Sequence, residues 1–219
     1  MSSNSSDVSQ TKKTVRVGHV VAVIGAVAAF LVAFFLTRPM SSVEHPAVGL
    51  PGPELDLMPL FVESSDETAP DATEGSAGFA GKPVEGKVTV LHFWGTWCPP
   101  CVAEYPHLVE MMKKRESNAK LQFIPVSCES GSGETFEGIQ KKTVNFYAKI
   151  NIASLPTFVD ASGKTRESVT QAIGTGSMVY PTTVVIDQSQ RIAGVWQGYS
   201  EASLVEMELL VDKLLKRAG

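Results

Sequence analysis

The sequence has few of the side chains that build metal sites or disulfide frameworks: three cysteines and four histidines in 219 residues. A structural zinc site needs four ligands, usually in two pairs, and the spacing of His92 and His107 from the cysteines fits no zinc-finger pattern. Three cysteines, two of them close together in sequence, also cannot form a framework of several disulfides. Reversible dithiol chemistry is therefore favoured over a structural metal site.

Basic side chains are scarce after residue 40. Residues 39–80 contain no Lys or Arg, and residues 41–219 carry 15 Lys and Arg against 22 Asp and Glu, a net charge of −7. Protein affinity for nucleic acids depends on basic contacts to phosphate. We therefore expect no nucleic-acid partner.

Asp, Glu, Lys and Arg are absent from Val17–Leu36, a run of 20 residues with His19 near its start. This length suits a bilayer-spanning helix and exceeds the usual signal-peptide core of about 7–15 residues. Three basic residues precede the run and only Arg38 closely follows it, which predicts a cytoplasmic N-terminus and an extracytoplasmic, periplasmic remainder. An uncleaved single-pass anchor in the cytoplasmic membrane is favoured over a cleaved signal, because no small-x-small pattern follows.

These features divide the chain into four parts. Residues 1–16 are predicted to be a cytoplasmic tail, 17–36 the transmembrane anchor, 37–48 a linker and 49–219 one folded domain. Within that domain, residues 63–78 are rich in Ser, Thr, Gly and acidic side chains. Such a composition predicts a flexible, solvated insertion, since the acidic residues lack the spacing of a metal-binding loop.

Cys98 and Cys101 form the most informative motif of the chain. They follow the apolar run Val88–Trp94 and precede a predicted helix over Val102–Arg115. Positions i and i+3 of a helix share one face, so the two thiols are close enough for a disulfide. A helix N-terminus lowers the pKa of an adjacent thiol, which predicts that Cys98 is the attacking thiolate and Cys101 the resolving thiol.

Strands and helices alternate along the rest of the chain. Strands are predicted over Leu121–Ser127, directly after Pro181 and over Arg191–Tyr199, and helices over Glu134–Ile150, Arg166–Ile173 and Glu201–Arg217. This order predicts an α/β fold in which helices cover both faces of a central sheet.

The segment Leu91–Pro106, LHFWGTWCPPCVAEYP, resembles the TlpA/ResA group of the thioredoxin superfamily. The most specific part is FWGTWCPPC with the E-x-P that follows, and the resemblance extends from about Leu50 to the C-terminus. A second match is Val179–Asp187, where this family places a cis-proline that faces the dithiol. The resemblance implies a thioredoxin-like fold with a mixed central sheet, preceded by one N-terminal transmembrane helix.

The resemblance also implies a role for Glu104, which lies three residues after Cys101. In this family the equivalent glutamate modulates the pKa values of both thiols, so the predicted catalytic residues are Cys98, Cys101 and Glu104. Spacing alone favours the alternative of a solvent-facing helix glutamate. The E-x-P match favours the functional role.

Substrate binding is assigned to Trp97, Tyr180 and Pro181. In the family, the residue before the cis-proline binds the substrate backbone, and Trp97 next to the dithiol is predicted to join this docking surface. The cis bond is assigned to Pro181 rather than Pro156, because a strand and the terminal β-β-α order follow Pro181.

Two further side chains are predicted as modulators. His92 lies six residues before Cys98, where thioredoxins carry a buried aspartate, and it is either a proton shuttle near neutral pH or a structural strand histidine. Cys128 ends the predicted strand beside the motif, where a small buried hydrophobic role is favoured over a third redox thiol. Trp94 is predicted to lie in the core.

The resemblance implies an extracytoplasmic enzyme that reduces protein disulfides through a mixed disulfide, for example in cytochrome c maturation, with electrons from a membrane thiol donor. No cofactor is expected besides the redox-active disulfide Cys98–Cys101. Dithiol chemistry itself carries no direction, so an oxidase that introduces disulfides stays open. A copper-handling module is a further alternative, because thiolates bind Cu(I), although its usual distant histidine ligand is missing.

Overall fold

The structure is a computed structural model that describes residues 19–30, 32, 42–60, 82–128, 135–152 and 155–217. The chain divides into two compact units, Met1–Met40 and Ser41–Gly219. In the first unit, residues 19–30 are helical. Among the residues described, no helix is both long enough and apolar enough to cross a bilayer. The predicted tail and acidic insertion lie outside the described residues, as do parts of the predicted anchor and linker.

In the described part of the second unit, six strands form one mixed sheet. The strands are β1 Met58–Pro59, β2 Val88–Trp94, β3 Leu121–Ser127, β4 Phe158–Val159, β5 Thr182–Ile186 and β6 Ile192–Gln197. Their spatial order is β1-β4-β3-β2-β5-β6, with β2 parallel to β3 and antiparallel to β5. Every residue of β2 is buried, as expected for a strand with an apolar sequence and layers on both faces.

Four helices pack around this sheet within the same described ranges: α1 Pro99–Lys113, α2 Phe136–Lys149, α3 Lys164–Ile173 and α4 Glu201–Arg217. Side chains alternate between the two faces of a strand. Val88 and Val90 of β2 therefore join a cluster with α1 and α4, whereas Leu91 and Phe93 join a cluster with α3 on the opposite face. The predicted α/β class, the mixed central sheet and the helices on both faces are confirmed.

Element bounds agree closely with the sequence pattern. The strand Leu121–Ser127 and the helix Glu201–Arg217 have the predicted bounds. Helix α1 begins earlier than predicted, at Pro99. Proline is favoured at the first helical positions, because its φ is already helical and its missing N–H would have no partner there.

Candidate active site

Cys98 is the N-cap residue of α1, and its sulfur accepts a hydrogen bond from the Cys101 backbone N–H at 3.3 Å. Pro99 and Pro100 between them have no N–H, which leaves the Cys101 N–H as the first backbone donor of the helix. A disulfide joins Cys98 to Cys101, with a Cα–Cα distance of 5.2 Å. A backbone N–H donor and a helix N-terminus are both features that stabilise a thiolate.

The predicted docking residues lie together beside the disulfide. Among the described residues, the peptide bond between Tyr180 and Pro181 is cis, as predicted from the sequence. It immediately precedes β5. The Tyr180 side chain packs against the cluster that contains both cysteines. Its ring meets Trp97 edge-on, with the ring centroids 5.4 Å apart. Trp97 is 44% exposed, so an apolar surface is available next to the dithiol.

Glu104 points into the protein. Its exposed fraction is 1%, which excludes the interpretation as a solvent-facing helix glutamate. Burial raises the pKa of its carboxyl from 4.5 to about 8. The group is therefore mostly protonated at pH 7, yet it has a substantial ionised fraction slightly above neutrality. A carboxyl of this kind, one helical turn after Cys101, is suited to proton exchange with a thiol.

His92 is fully buried on the face of β2 that α1 covers. Its Nδ1 lies 2.9 Å from Thr183 Oγ1 on β5, and its Nε2 lies 3.9 Å from Glu104 Oε2. Burial lowers the pKa of His92 from 6.5 to about 3. The separation is short enough for an ion pair, but the two pKa shifts leave both groups uncharged at pH 7.

Cys128 is a buried thiol without a disulfide at the end of β3. The Tyr180 hydroxyl interacts with both Cys128 and the Arg166 guanidinium, and burial followed by the nearby Cys128 raises the pKa of Tyr180. Arg166 also donates to Asp160 Oδ2 at 3.0 Å. Cys128 and the dithiol belong to different buried clusters, and Tyr180 packs against both of them.

Two polar residues near the site were missed by sequence reasoning. Thr183 faces His92 because the two residues are paired in the antiparallel register of β2 and β5, so correct strand pairing would have found it. Arg166 reaches Tyr180 from α3, and no local pattern marks it. Trp94 is fully buried, which confirms its predicted place in the core. Within the described ranges, no group of three or more His, Cys, Asp and Glu side chains is placed to share a metal ion.

A cysteine pair at a helix N-terminus, together with a cis-proline directly before a strand of a mixed α/β sheet, defines a thioredoxin-like protein. Residues 66–195 match the AhpC/TSA family, and the chain belongs to that family. The resemblance to the ResA group is also confirmed by matches to named ResA proteins.

Three similar proteins illustrate the relationship. Thiol-disulfide oxidoreductase ResA of Halalkalibacterium halodurans is 29% identical over 129 residues, which are 58% of this chain and 64% of that protein. Soluble secreted antigen MPT53 of Mycobacterium tuberculosis is 27% identical over 128 residues, 54% of this chain and 67% of the antigen. A solved thiol:disulfide interchange protein of Chlorobium tepidum aligns with a TM-score of 0.48 at 25% identity, over 60% of this chain and 81% of the other.

The chain spans between about half and two thirds of the curated relatives that it matches, from 56% to 67% of their lengths.

Proposed function

We propose that this chain is a thiol–disulfide oxidoreductase that reduces protein disulfides outside the cytoplasmic membrane. The observation that carries the proposal is the Cys98–Cys101 disulfide at the N-terminus of α1, with Tyr180 packed against the cluster that contains both cysteines. The activity in the name of the similar ResA proteins supports the same reaction class. No cofactor is needed, because the reduced Cys98–Cys101 dithiol itself supplies the two electrons.

The proposed reaction begins with the reduced dithiol. The Cys98 thiolate attacks one sulfur of the substrate disulfide, and the other substrate sulfur leaves as a thiolate that takes up a proton from water. In the molecules whose Glu104 is ionised, Cys101 then gives its proton to that carboxylate and attacks Cys98, which releases the second substrate sulfur as a thiolate that also takes up a proton from water. The dithiol is oxidised by two electrons, and the substrate disulfide is reduced to two thiols.

Docking would use the surface around the dithiol. Trp97 offers an exposed apolar ring, and Tyr180 packs against it immediately before Pro181. A protein substrate whose extended backbone lies along this surface places its disulfide close to Cys98. The acidic balance of residues 41–219 makes nucleic acid a poor partner.

The proposed location is the outer side of the cytoplasmic membrane, with Val17–Leu36 as the anchor. The charge distribution around this run supports the orientation, and a similar protein, MPT53, is named as secreted. Dithiols outside the cytoplasm tend towards oxidation. We therefore include a membrane thiol donor that reduces Cys98–Cys101 after each turnover. One fitting client is a cysteine pair that must be reduced before haem attachment, as in cytochrome c maturation.

The reduction potential of the full chain tests the direction. The protein is equilibrated in graded thiol buffers, and the Cys98–Cys101 redox state is read from alkylated mass. A potential well below about −220 mV supports the reductase, and one near −120 mV would instead indicate an oxidase. Failure of Cys98 and Cys101 to form a reversible disulfide would remove the oxidoreductase proposal, and copper retention after dialysis would then test the metal-handling alternative.

Location is tested separately by labelling Cys98 in intact cells with a membrane-impermeant thiol reagent after mild reduction. Labelling of Cys98 before lysis supports the extracytoplasmic placement. Labelling that requires lysis would overturn it without touching the redox assignment.

A further inference from the structure

Three buried side chains from three elements form a line between the sheet and α1. They are Thr183 on β5, His92 on β2 and Glu104 on α1, each at most 1% exposed. His92 is central, with Nδ1 2.9 Å from Thr183 Oγ1 and Nε2 3.9 Å from Glu104 Oε2. Glu104 follows Cys101 by one helical turn, so the line leads from the strand after cis-Pro181 to the resolving thiol.

Two atoms in this line face each other without partners. Among the described residues, neither His92 Nε2 nor Glu104 Oε2 has a hydrogen-bond partner. A buried polar atom without a partner is costly, and a single proton between these two would satisfy both. The 3.9 Å gap exceeds a hydrogen bond by about 1 Å, so the two atoms share a proton only when the carboxyl group turns towards the ring.

The position of that proton follows from the chemistry of the pair. A neutral imidazole has one donor nitrogen and one acceptor nitrogen. His92 is neutral and Glu104 is protonated at pH 7, so the carboxyl donates and Nε2 accepts. Nδ1 then carries the ring hydrogen and donates it to Thr183 Oγ1.

Other titratable groups around His92 are few in the described structure. Tyr105 of α1 has its ring centroid 5.9 Å from that of His92. The neighbours of His92 across the sheet are Pro125 on β3 and Thr183 on β5, and neither carries charge. Cys98 and Cys101 do not titrate while they are joined. Burial accounts for the pKa shifts of both His92 and Glu104.

We propose that His92, oriented by Thr183, is a positioning residue that stores the Cys101 proton on Glu104 while the disulfide is closed. The inference rests on the proposed function. When Cys101 attacks Cys98, its proton passes to the Glu104 carboxylate, and the new carboxyl group donates to His92 Nε2. When the disulfide is next reduced, the departing Cys101 thiolate takes the same proton back. The proton remains in the buried layer throughout, and the two electrons for re-reduction come from the thiol donor of the proposed function.

Two substitutions test this arrangement in the oxidised full chain. Thr183→Val keeps the side-chain volume but removes the acceptor for Nδ1–H, so the ring hydrogen moves to Nε2 and favours the ionised carboxylate. His92→Leu removes the Nε2 acceptor altogether. Thr183→Val should lower the pH midpoint of Glu104 by about one unit, the size of one net hydrogen bond, and His92→Leu by less, because the apolar side chain itself disfavours the ionised carboxylate. His92→Gln, whose amide oxygen reaches towards Glu104, should restore most of the shift.

The readout is the infrared C=O band of the protonated carboxyl as a function of pH, assigned by its loss in Glu104→Gln. Thr89→Val is the matched control, because it removes a buried hydroxyl from β2, the strand that carries His92. The Thr89 hydroxyl donates to Gln122 Oε1 at 3.0 Å. This control should leave the Glu104 midpoint unchanged. A purely structural role for His92 predicts the same Glu104 pH midpoint in Thr183→Val and Thr89→Val.

An unchanged or raised midpoint in Thr183→Val would overturn the inference, and this nearly isosteric variant decides the matter even where His92→Leu fails to fold. Thiol–disulfide exchange by the wild-type protein is measured in parallel. Absent exchange would defeat the proposed function, whereas normal exchange with an unmoved midpoint would defeat only the role of His92.

Discussion

The indole N–H of Trp97 donates to the backbone carbonyl of Cys128 at 2.9 Å, and the contact passes directly over Gly95. The Cys128 N–H in turn donates to the Trp94 carbonyl at 2.7 Å. These two bonds hold the loop before Cys98 against the end of β3. They also hold the partly exposed Trp97 ring beside Tyr180. The pairing of β2 with β3 at their C-terminal ends therefore determines the shape of the proposed docking surface.

Gly95→Ala should therefore damage both stability and exchange. A methyl group at Gly95 would overlap the Cys128 carbonyl and the Trp97 indole, and the carbonyl belongs to a backbone that cannot easily move. We expect a loss of about 1–3 kcal/mol in the free energy of unfolding by urea, as for other overpacked sites. Gly176→Ala is the control, since nothing lies within 4 Å of its added carbon. Equal stability of the two variants would refute the steric role of Gly95.

The order of attack by the two cysteines can be tested by trapping. Cys101→Ser should leave Cys98 bound to a substrate protein as a stable mixed disulfide, because no resolving thiol remains. Cys98→Ser should trap none, since Cys101 is fully buried one turn inside the helix. Mass spectrometry after incubation with a disulfide-containing protein distinguishes the two variants. Trapping by Cys98→Ser instead would reverse the assigned roles.

Cys128→Ala provides a check within the same experiment. Cys128 belongs to a different buried cluster from the dithiol and has no disulfide partner. We expect the trapped species of the Cys101→Ser variant to form equally well when Cys128 is also replaced. A loss of trapping would make Cys128 a participant rather than a packing residue.

Local features of the site could be predicted from sequence, because they depend on neighbours in the chain. The spacing of Cys98 and Cys101 and the prolines between them indicate a dithiol at the start of a helix. Apolar periodicity likewise predicts the strand Leu121–Ser127. The cis bond before Pro181 followed from the family resemblance and the order of the last elements.

The contacts of His92 could not be predicted, because they depend on long-range register. A slip of one residue between strands would turn His92 to the opposite sheet face, away from Glu104. The burial of Glu104 also depends on which side of α1 meets the sheet. The next residue, Tyr105, packs against Trp94 of β2 with ring centroids 4.1 Å apart, and this contact orients α1 on the sheet. Sequence spacing alone does not encode that rotation.

Arg115 should stabilise the contact between α1 and α4. Its guanidinium donates to both carboxylate oxygens of Asp212, at 2.6 and 2.9 Å, and to Glu208 at 2.9 Å. The hydrogen bond to Arg115 lowers the pKa of Asp212. Because the acidic partners are over one third exposed, we expect Arg115→Ala to cost only about 1 kcal/mol in unfolding free energy, and less at high salt.

The neighbouring Lys114 is a matched control for Arg115. It pairs with Glu110 at 3.1 Å, but both side chains are mostly exposed. Lys114→Ala should therefore leave the urea midpoint almost unchanged. If Arg115→Ala and Lys114→Ala lower the free energy of unfolding equally, the paired geometry of Arg115 contributes nothing beyond its charge.

Glu104 and His92 make the stability of the oxidised protein depend on pH in opposite directions. The folded pKa of Glu104 is raised to about 8 from 4.5, so its stabilising contribution is complete below pH 4.5 and is lost as the pH rises towards 8. The folded pKa of His92 is lowered to about 3 from 6.5, so the unfolded chain binds the extra proton between these values. Stability due to His92 therefore rises with pH across that window.

The two effects cancel between pH 4.5 and 6.5, and only the decline due to Glu104 remains above pH 6.5. We therefore expect the free energy of unfolding to fall by about 2 kcal/mol from pH 6.5 to 8, since one proton changes it by about 1.4 kcal/mol per pH unit. Urea titrations of wild type and Glu104→Gln at matched pH values isolate the effect, because all other groups are shared. The difference in unfolding free energy between wild type and Glu104→Gln should be constant below pH 4.5 and should become smaller above that pH. A difference that stays constant from pH 4.5 to 8 would show that Glu104 is ionised in the folded protein, and the proton could not then be stored on it.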